Sequence, residues 1–128
     1  MEKPALEVLN KEFSIYRFPS AERVPPSVFE SSFYWIGKTD EELSVVCESS
    51  VMLGGGEEND GWSCLKVQGP IDFSVSGVLA GISATLASAQ IAILALTTFD
   101  TDYILVKSSQ LEKALDALDS AGYEVKKP

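Results

Sequence analysis

The chain contains no histidine, and this absence removes several classes of site at once. Without an imidazole there is no Ser-His-Asp triad, no Cys-His dyad and no His-containing zinc site. Cysteine is scarce too. Cys47 and Cys64 are too few for a disulfide framework, and each lies in an apolar run that predicts a strand, so we expect two buried free thiols. Acid/base pairs such as Asp100 and Asp102 occur, but no nucleophile or cofactor motif accompanies them. We therefore expect a non-enzymatic protein without catalytic residues, metal or cofactor.

Basic residues are also few. Lys and Arg number 10 against 19 Asp and Glu, which gives a net charge of −9. That balance repels phosphate backbones and anionic membranes, and the sole basic pair is Lys126-Lys127. The longest apolar run, Ile91 to Leu96, is too short to cross a bilayer, and Met1 to Pro4 lacks the basic-then-apolar order of a signal peptide. We expect a soluble cytoplasmic protein without nucleic-acid or membrane partners. The acidity favours solubility, and a preference for cationic ligands is the alternative.

The C-terminal half carries the clearest periodicity. Cys64 to Gln68 alternates apolar and polar residues, which is typical of a half-buried strand. An apolar stripe at three-to-four spacing then predicts an amphipathic helix, with Ser76 as the candidate N-cap. The stripe consists of Val78, Leu79, Ile82, Leu86 and Ala89. The continuous apolar run from Ile91 to Thr97 predicts a central strand buried on both faces.

The remaining elements complete a known order. A tight polar connection over residues 98–102 leads to a strand from Tyr103 to Val106, so the two strands flanking it are predicted to be antiparallel neighbours. Ser108-Ser109 opens a second amphipathic helix, which Gly122 ends, and Tyr123 to Val125 is a short last strand. The order is β-α-β-β-α-β. It predicts the α/β (α+β) class and a ferredoxin-like module, with two helices on one face of a four-stranded antiparallel sheet.

The N-terminal half is an incomplete copy of the same pattern. It predicts strands at Phe13 to Phe18, Phe33 to Ile36 and Leu43 to Cys47, with at most a turn or two of helix after Pro25-Pro26. A loop over residues 53–61 follows, and the second helix and fourth strand are missing. We therefore predict a truncated module over residues 1–61 and a complete module over residues 62–128.

Several segments resemble the ACT family. They are Gly61-Trp62, Leu65 to Phe73, Ser76 to Ala80 and Thr97 to Val106, with Thr39 to Cys47 in the first half. More narrowly, they resemble the tandem-ACT branch that includes bacterial stand-alone ACT proteins and the arginine-sensing CASTOR-type proteins. The most specific piece is the threonine-phenylalanine-aspartate turn inside a two-strand hairpin. The resemblance implies a regulatory module that binds amino acids or similar small metabolites between paired ACT domains.

The start of the first helix of the second module is one candidate site. Asp72 to Gly77 leads into this helix, whose free backbone N–H groups and dipole suit a carboxylate, and Gly77 allows a close backbone approach. We expect Asp72, Ser76, Gly77, Val78 and Leu79 to be ligand-binding, with the Ser76–Leu79 segment holding an α-carboxylate. The alternative is that Ser76 only caps the helix and Gly77 only packs.

The turn over residues 98–102 is the other candidate site. Its two carboxylates and two hydroxyls are the acceptors that an α-amino group or a guanidinium needs. The resemblance adds that Thr98, Phe99 and Asp102 match ligand-facing positions of the CASTOR-type proteins, with Asp102 on the amine. Ordinary turn chemistry is the alternative, since Asp and Thr favour such connections. Both candidates are predicted at the same end of the fold, which favours one joint site.

The sequence leaves two functions open. The first is a non-catalytic regulator that binds a free amino acid or similar metabolite at an ACT–ACT interface. An exposed sheet edge would favour pairing with a second copy, so we expect a homodimer. The alternative is a protein-interaction module that regulates a partner without binding a small molecule.

Overall fold

The computed structural model describes residues 3–69 and 77–128 and forms two compact units. The large unit comprises Met1–Asn10 and Ser63–Pro128, and the small unit comprises Lys11–Trp62. Strands β1 (Leu6–Phe18) and β4 (Glu57–Val67) each contribute residues to both units. The N-terminal residues were predicted to belong to the first module, whereas the structure groups them with the second. Leu6 and Val8 are buried in the core cluster of the large unit, which accounts for this grouping.

The large unit has the predicted βαββαβ order. After β4 come α1 (Val78–Ser88), β5 (Ile93–Thr97), β6 (Asp102–Lys107), a 3₁₀ turn (Ser108–Gln110), α2 (Leu111–Ser120) and β7 (Val125–Lys126). The α+β, ferredoxin-like fold class is therefore confirmed. The second helix ends as predicted, because Gly122 adopts φ 93° and the Tyr123 N–H donates to the carbonyl of Leu118 at 2.9 Å.

The sheet of the large unit differs from the predicted four-stranded antiparallel sheet, because β1 adds a fifth strand and β5 is not central. The order is β7-β1-β4-β6-β5, with β7 parallel to β1 through the pair Leu6 and Val125. β5 pairs antiparallel with β6, as expected, but it lies at the end of the order. The prediction of a central strand buried on both faces is therefore wrong. Within β5 only Leu96 is buried, and the apolar run owes part of its length to Ile91, which is buried before the strand begins.

Helices α1 and α2 share one apolar core with the strands. Ile82 and Leu86 of α1 and Ala114, Leu115 and Leu118 of α2 are buried in a single cluster with residues of β1, β4 and β6. Each fully buried leucine or isoleucine of this cluster contributes about 1.5–3 kcal/mol through the hydrophobic effect. The core therefore holds the sheet and the helix layer of the large unit together.

The small unit contains four strands rather than the three predicted. β3 (Leu43–Glu48) lies between β1 and β2 (Tyr34–Lys38) in antiparallel register, and a short 3₁₀ helix spans Pro26–Glu30. The first residues of β4 supply the fourth strand, so the predicted loop over residues 53–61 ends at Gly56. Sequence periodicity missed this strand because residues 57–60 are all polar and exposed. Within Lys11–Trp62, every residue of which the structure describes, no second helix occurs, as predicted.

Candidate functional site

The turn between β5 and β6 is held by its own hydrogen bonds. The Thr98 N–H and hydroxyl both donate to the carbonyl of Thr101, at 2.9 and 3.0 Å, and the Thr101 N–H donates to Oγ1 of Thr98 at 3.3 Å. The buried Thr101 hydroxyl donates to the carbonyl of Val67 at 2.7 Å and ties the turn to β4. Both hydroxyls therefore serve the turn itself, as the ordinary turn chemistry considered above requires.

Asp102 is placed where a ligand could reach it. It pairs with Thr97 across the hairpin, and Oδ1 accepts a hydrogen bond of 2.7 Å from the Thr97 hydroxyl. Oδ2 accepts no hydrogen bond from the described residues, and the side chain is half-buried. Phe99 is 81% exposed at the tip of the turn. One carboxylate oxygen thus remains available to an ammonium group.

The start of α1 is only partly described. Asp72 and Ser76 lie outside the described residues. The N-cap residue is Gly77 rather than the predicted Ser76, and its φ of 86° is a conformation that favours glycine. No side chain of the described residues caps this end of the helix, so its first N–H groups depend on other acceptors. Val78 and Leu79 are partly buried against the core of the large unit, as their place in the predicted apolar stripe of the helix requires.

A cavity of about 290 Å³ lies beside the turn, and one of the predicted ligand-binding residues, Thr98, lines it. Phe99 and Asp102 are not among its described lining residues, nor are Gly77, Val78 and Leu79. Asp100 and Thr101, which also belong to the candidate turn, line it as well. Its remaining polar lining residues, Lys66, Gln68 and Tyr103, were not predicted as site residues. The alternation of apolar and polar residues in β4 predicted that Lys66 and Gln68 share a polar face of the strand. It did not indicate that a cavity adjoins this face.

The small unit holds a buried carboxylate that the sequence did not reveal. Glu48 is 7% exposed. Oε2 accepts hydrogen bonds from the Ser31 hydroxyl, the Ser32 hydroxyl and the Ser32 N–H, while Oε1 pairs with Nζ of Lys11 at 2.5 Å. These donors, with Lys11 first, lower the pKa of Glu48 from 4.5 to about 2 despite its burial. The carboxylate joins the 3₁₀ helix to β3, which indicates a structural role.

Neither cysteine offers a reactive thiolate. Both are free and buried. Burial raises the pKa of Cys64 to about 12, and burial together with the charges of Glu58 and Glu48 raises the pKa of Cys47 to about 11. Burial, followed by a hydrogen bond to Glu58, likewise raises the pKa of Tyr16 to about 12. All three groups are therefore neutral near pH 7 and poor nucleophiles.

The described part of the chain contains no cluster of three or more Cys, Asp or Glu residues arranged to hold a metal ion. None of its helices has the length and apolar character needed to cross a membrane.

Comparison with known proteins identifies the families that the chain resembles. Residues 57–120, half of the chain, match the ACT domain family, and residues 11–52 match a family described only as an N-terminal domain. A search of curated proteins finds no significant match. A crystal structure of a protein from Agobacterium tumefaciens is 34% identical, with a TM-score of 0.92, over 100% of this chain and 96% of that one.

Two more distant structures share the fold. A Vibrio cholerae protein of unknown function is 20% identical, with a TM-score of 0.73, over 91% of this chain and 88% of that one. The ligand-free regulatory subunit of aspartate kinase from Thermus thermophilus is 14% identical, with a TM-score of 0.65, over 94% and 99% of the two chains. Because the match over residues 57–120 covers half of the chain, the chain belongs to the ACT-domain family.

Proposed function

We propose that this protein is a non-catalytic regulator that binds a free amino acid or similar small metabolite at an ACT–ACT interface. Membership of the ACT-domain family supports a regulatory role, as does the shared fold with the regulatory subunit of an aspartate kinase. The observation that carries the proposal is Asp102, a half-buried carboxylate with one oxygen bonded to Thr97 and the other open to a ligand. We further propose a tandem arrangement like that of the CASTOR-type proteins.

In this proposal the ligand lies between the start of α1 and the β5–β6 turn. The Ser76–Leu79 segment, with Asp72 before it, offers backbone N–H groups to the α-carboxylate. The absence of a capping side chain among the described residues at Gly77 supports this role. Asp102 holds the ammonium group, while Thr98 and Phe99 position the turn. A second ACT module supplies the opposite wall. Ligand binding then signals through conformation or assembly.

Isothermal titration with the common L-amino acids tests this proposal. We expect at least one to bind and Asp102→Asn to weaken that binding about tenfold or more, because a charge-assisted hydrogen bond contributes about 1.5–3 kcal/mol. Asp116→Asn is the matched control, since Asp116 is exposed on α2 and lies outside the proposed site. No heat and no thermal stabilisation with any amino acid would contradict the proposal.

We also propose that the protein forms a homodimer through β5. This strand ends the strand order of the large unit, and Ile93–Thr97 carries no charged residue or proline of the kind that normally protects an exposed edge. Ala95→Lys places a charge on the edge and should give a monomer in sedimentation-velocity experiments. Ala80→Lys changes an exposed alanine on α1 instead and should leave the dimer intact. Dissociation by Ala80→Lys alone would assign the interface to the helices.

The alternative function is a protein-interaction module, and an exposed apolar group in the small unit favours it. The rings of Phe29 and Tyr34 pack edge-to-face at 5.4 Å and are both exposed, while Met52, whose carbonyl accepts a hydrogen bond from Ser27, is 79% exposed. Pull-down of a partner that is insensitive to amino acids and to Asp102→Asn, but is lost with Phe29→Ser, would support this function. The two buried free cysteines favour the cytoplasm as the compartment for either function.

A further inference from the structure

The cavity beside the β5–β6 turn has opposite charges on its wall. Lys66 of β4 and Asp100 of the turn both line it. The described part of the chain shows no hydrogen bond or ion pair to the ammonium group of Lys66 or to the carboxylate of Asp100. Each of these groups therefore keeps its full capacity to bind a charge on a ligand.

The other polar groups of the cavity are largely committed to the protein. The hydroxyls of Thr98 and Thr101 hold the turn, and the Gln68 side chain donates Nε2–H to Glu7 at 3.0 Å, which leaves its carbonyl oxygen as an acceptor. These bonds fix the wall without consuming Lys66 or Asp100. On binding, the loss of side-chain freedom is therefore confined mainly to Lys66 and Asp100.

Strand alternation explains why Lys66 and Tyr103 face the same way. Leu65 and Val67 of β4 are buried in the core cluster that includes α1 and α2, so Lys66 between them projects from the opposite face of the strand. Ile104 of β6 belongs to the same core cluster, so the half-buried Tyr103 also faces away from it. Because β4 and β6 are neighbours, Tyr103 adds an aromatic surface beside Lys66.

We propose that this cavity is a second binding site, complete within the large unit, for a free α-amino acid or a zwitterion of similar size. Lys66 binds the carboxylate, Asp100 binds the ammonium group, and the Tyr103 ring contacts the apolar part of the ligand. The net charge of −9 on the protein repels anionic ligands, whereas a zwitterion carries no net charge and is not repelled. Unlike the proposed interface site, this one needs no residue from a second module.

Site-resolved NMR tests the proposal. The ¹⁵N-labelled protein is titrated with each of the common L-amino acids to about 10 mM, which covers the millimolar range of weak ligands. We expect the amide signals of Lys66, Gln68 and Tyr103 to shift together. The amide and N-acetyl derivatives of the best ligand, which lack the carboxylate and the ammonium charge respectively, should each bind at least about tenfold more weakly.

Charge-removing variants give the matched comparison. Lys66→Met and Asp100→Asn should each weaken binding at least about tenfold, whereas Lys113→Met and Asp116→Asn, on the exposed face of α2, should not. Well-dispersed spectra of all four variants establish that they fold. Loss of binding with Asp102→Asn but not with Lys66→Met or Asp100→Asn overturns the cavity site and supports the interface site. The reverse pattern supports the cavity site alone, and a titration without shifts overturns both.

Discussion

Replacing Glu48 with glutamine should destabilise the small unit and remove part of its pH dependence. The substitution keeps the shape of the side chain but removes its charge. One oxygen of the carboxylate becomes an NH₂ donor, which then faces either Lys11 or the donors of Ser31 and Ser32. A donor that faces donors loses its hydrogen bonds and leaves a buried group unsatisfied.

The size of the effect follows from the pKa of Glu48, which is about 2 instead of 4.5. At about 1.36 kcal/mol for each tenfold change in proton affinity, this difference sets an upper bound of about 3 kcal/mol. The Lys11 side chain is 53% exposed, so solvent and salt screen its share of the interaction. We therefore expect Glu48→Gln to lower the free energy of unfolding at pH 7 by about 1–2 kcal/mol.

The sign of the pH dependence is fixed by the direction of the pKa change. Because the pKa of Glu48 is lower in the folded protein than in the unfolded chain, its contribution is present in full above pH 4.5. It falls as the pH drops from 4.5 to about 2 and is absent below that. The wild-type protein should therefore lose stability more steeply than Glu48→Gln over this interval.

Urea unfolding followed by tryptophan fluorescence measures this effect. Both tryptophans, Trp35 and Trp62, lie in the small unit with Glu48, so their emission reports on the unit that the substitution affects. Glu12→Gln is the matched control, since Glu12 is exposed and lies next to Lys11 in the chain. Equal unfolding free energies at pH 7 and parallel pH profiles for wild type and Glu48→Gln would refute the reasoning.

Two further predictions concern glycines that lie close to aromatic side chains. Gly81→Ala should lower the stability of the large unit by about 1 kcal/mol, because the added Cβ would lie 2.8 Å from the Tyr123 hydroxyl oxygen, and the resulting strain outweighs the gain of alanine over glycine within α1. Circular dichroism of the helices measures this loss, and Tyr123→Phe in the same chain should reverse it. Gly56→Ala should destabilise the small unit by a similar amount, because φ is +78° and the Cβ would lie 2.6 Å from the Phe18 ring, whereas Gly55→Ala, with open space around it, should change the fluorescence-detected stability little.

The fold was predictable where one element followed one periodicity. The order from β4 to β7 could be predicted because an apolar run or an apolar repeat marks most strands and both helices of this segment, and turn residues separate them. The N-terminal strand shows the limit. Leu6 and Val8 flank the polar Glu7 in a way that could have extended β1, but nothing local indicates that this segment pairs with β7 and joins the large unit. Strands that are far apart in the chain pair here because their apolar side chains are buried in the same core cluster.

Glu48 shows a different limit. In the sequence it is one carboxylate after an apolar strand, which is a common way for a strand to end. Its burial depends on Ser31 and Ser32, 17 and 16 residues away, and on Lys11 in another strand. No spacing rule connects these positions, because the contacts arise only when β1, β3 and the end of the 3₁₀ helix are placed together.

The two candidate ligand sites differ in whether they could be predicted from the sequence alone. The turn at Thr98 could be predicted because its residues are adjacent in the chain, but its hydroxyls are bonded within the turn or to β4. The charges of Lys66 and Asp100, which have no partner among the described residues, belong to segments that become neighbours only through strand order and alternation. Composition shows that such charges exist, whereas the fold decides which of them remain available beside a cavity. For this chain the amino-acid titration of Lys66→Met and Asp102→Asn therefore separates a site predicted by the sequence from one that depends on the fold.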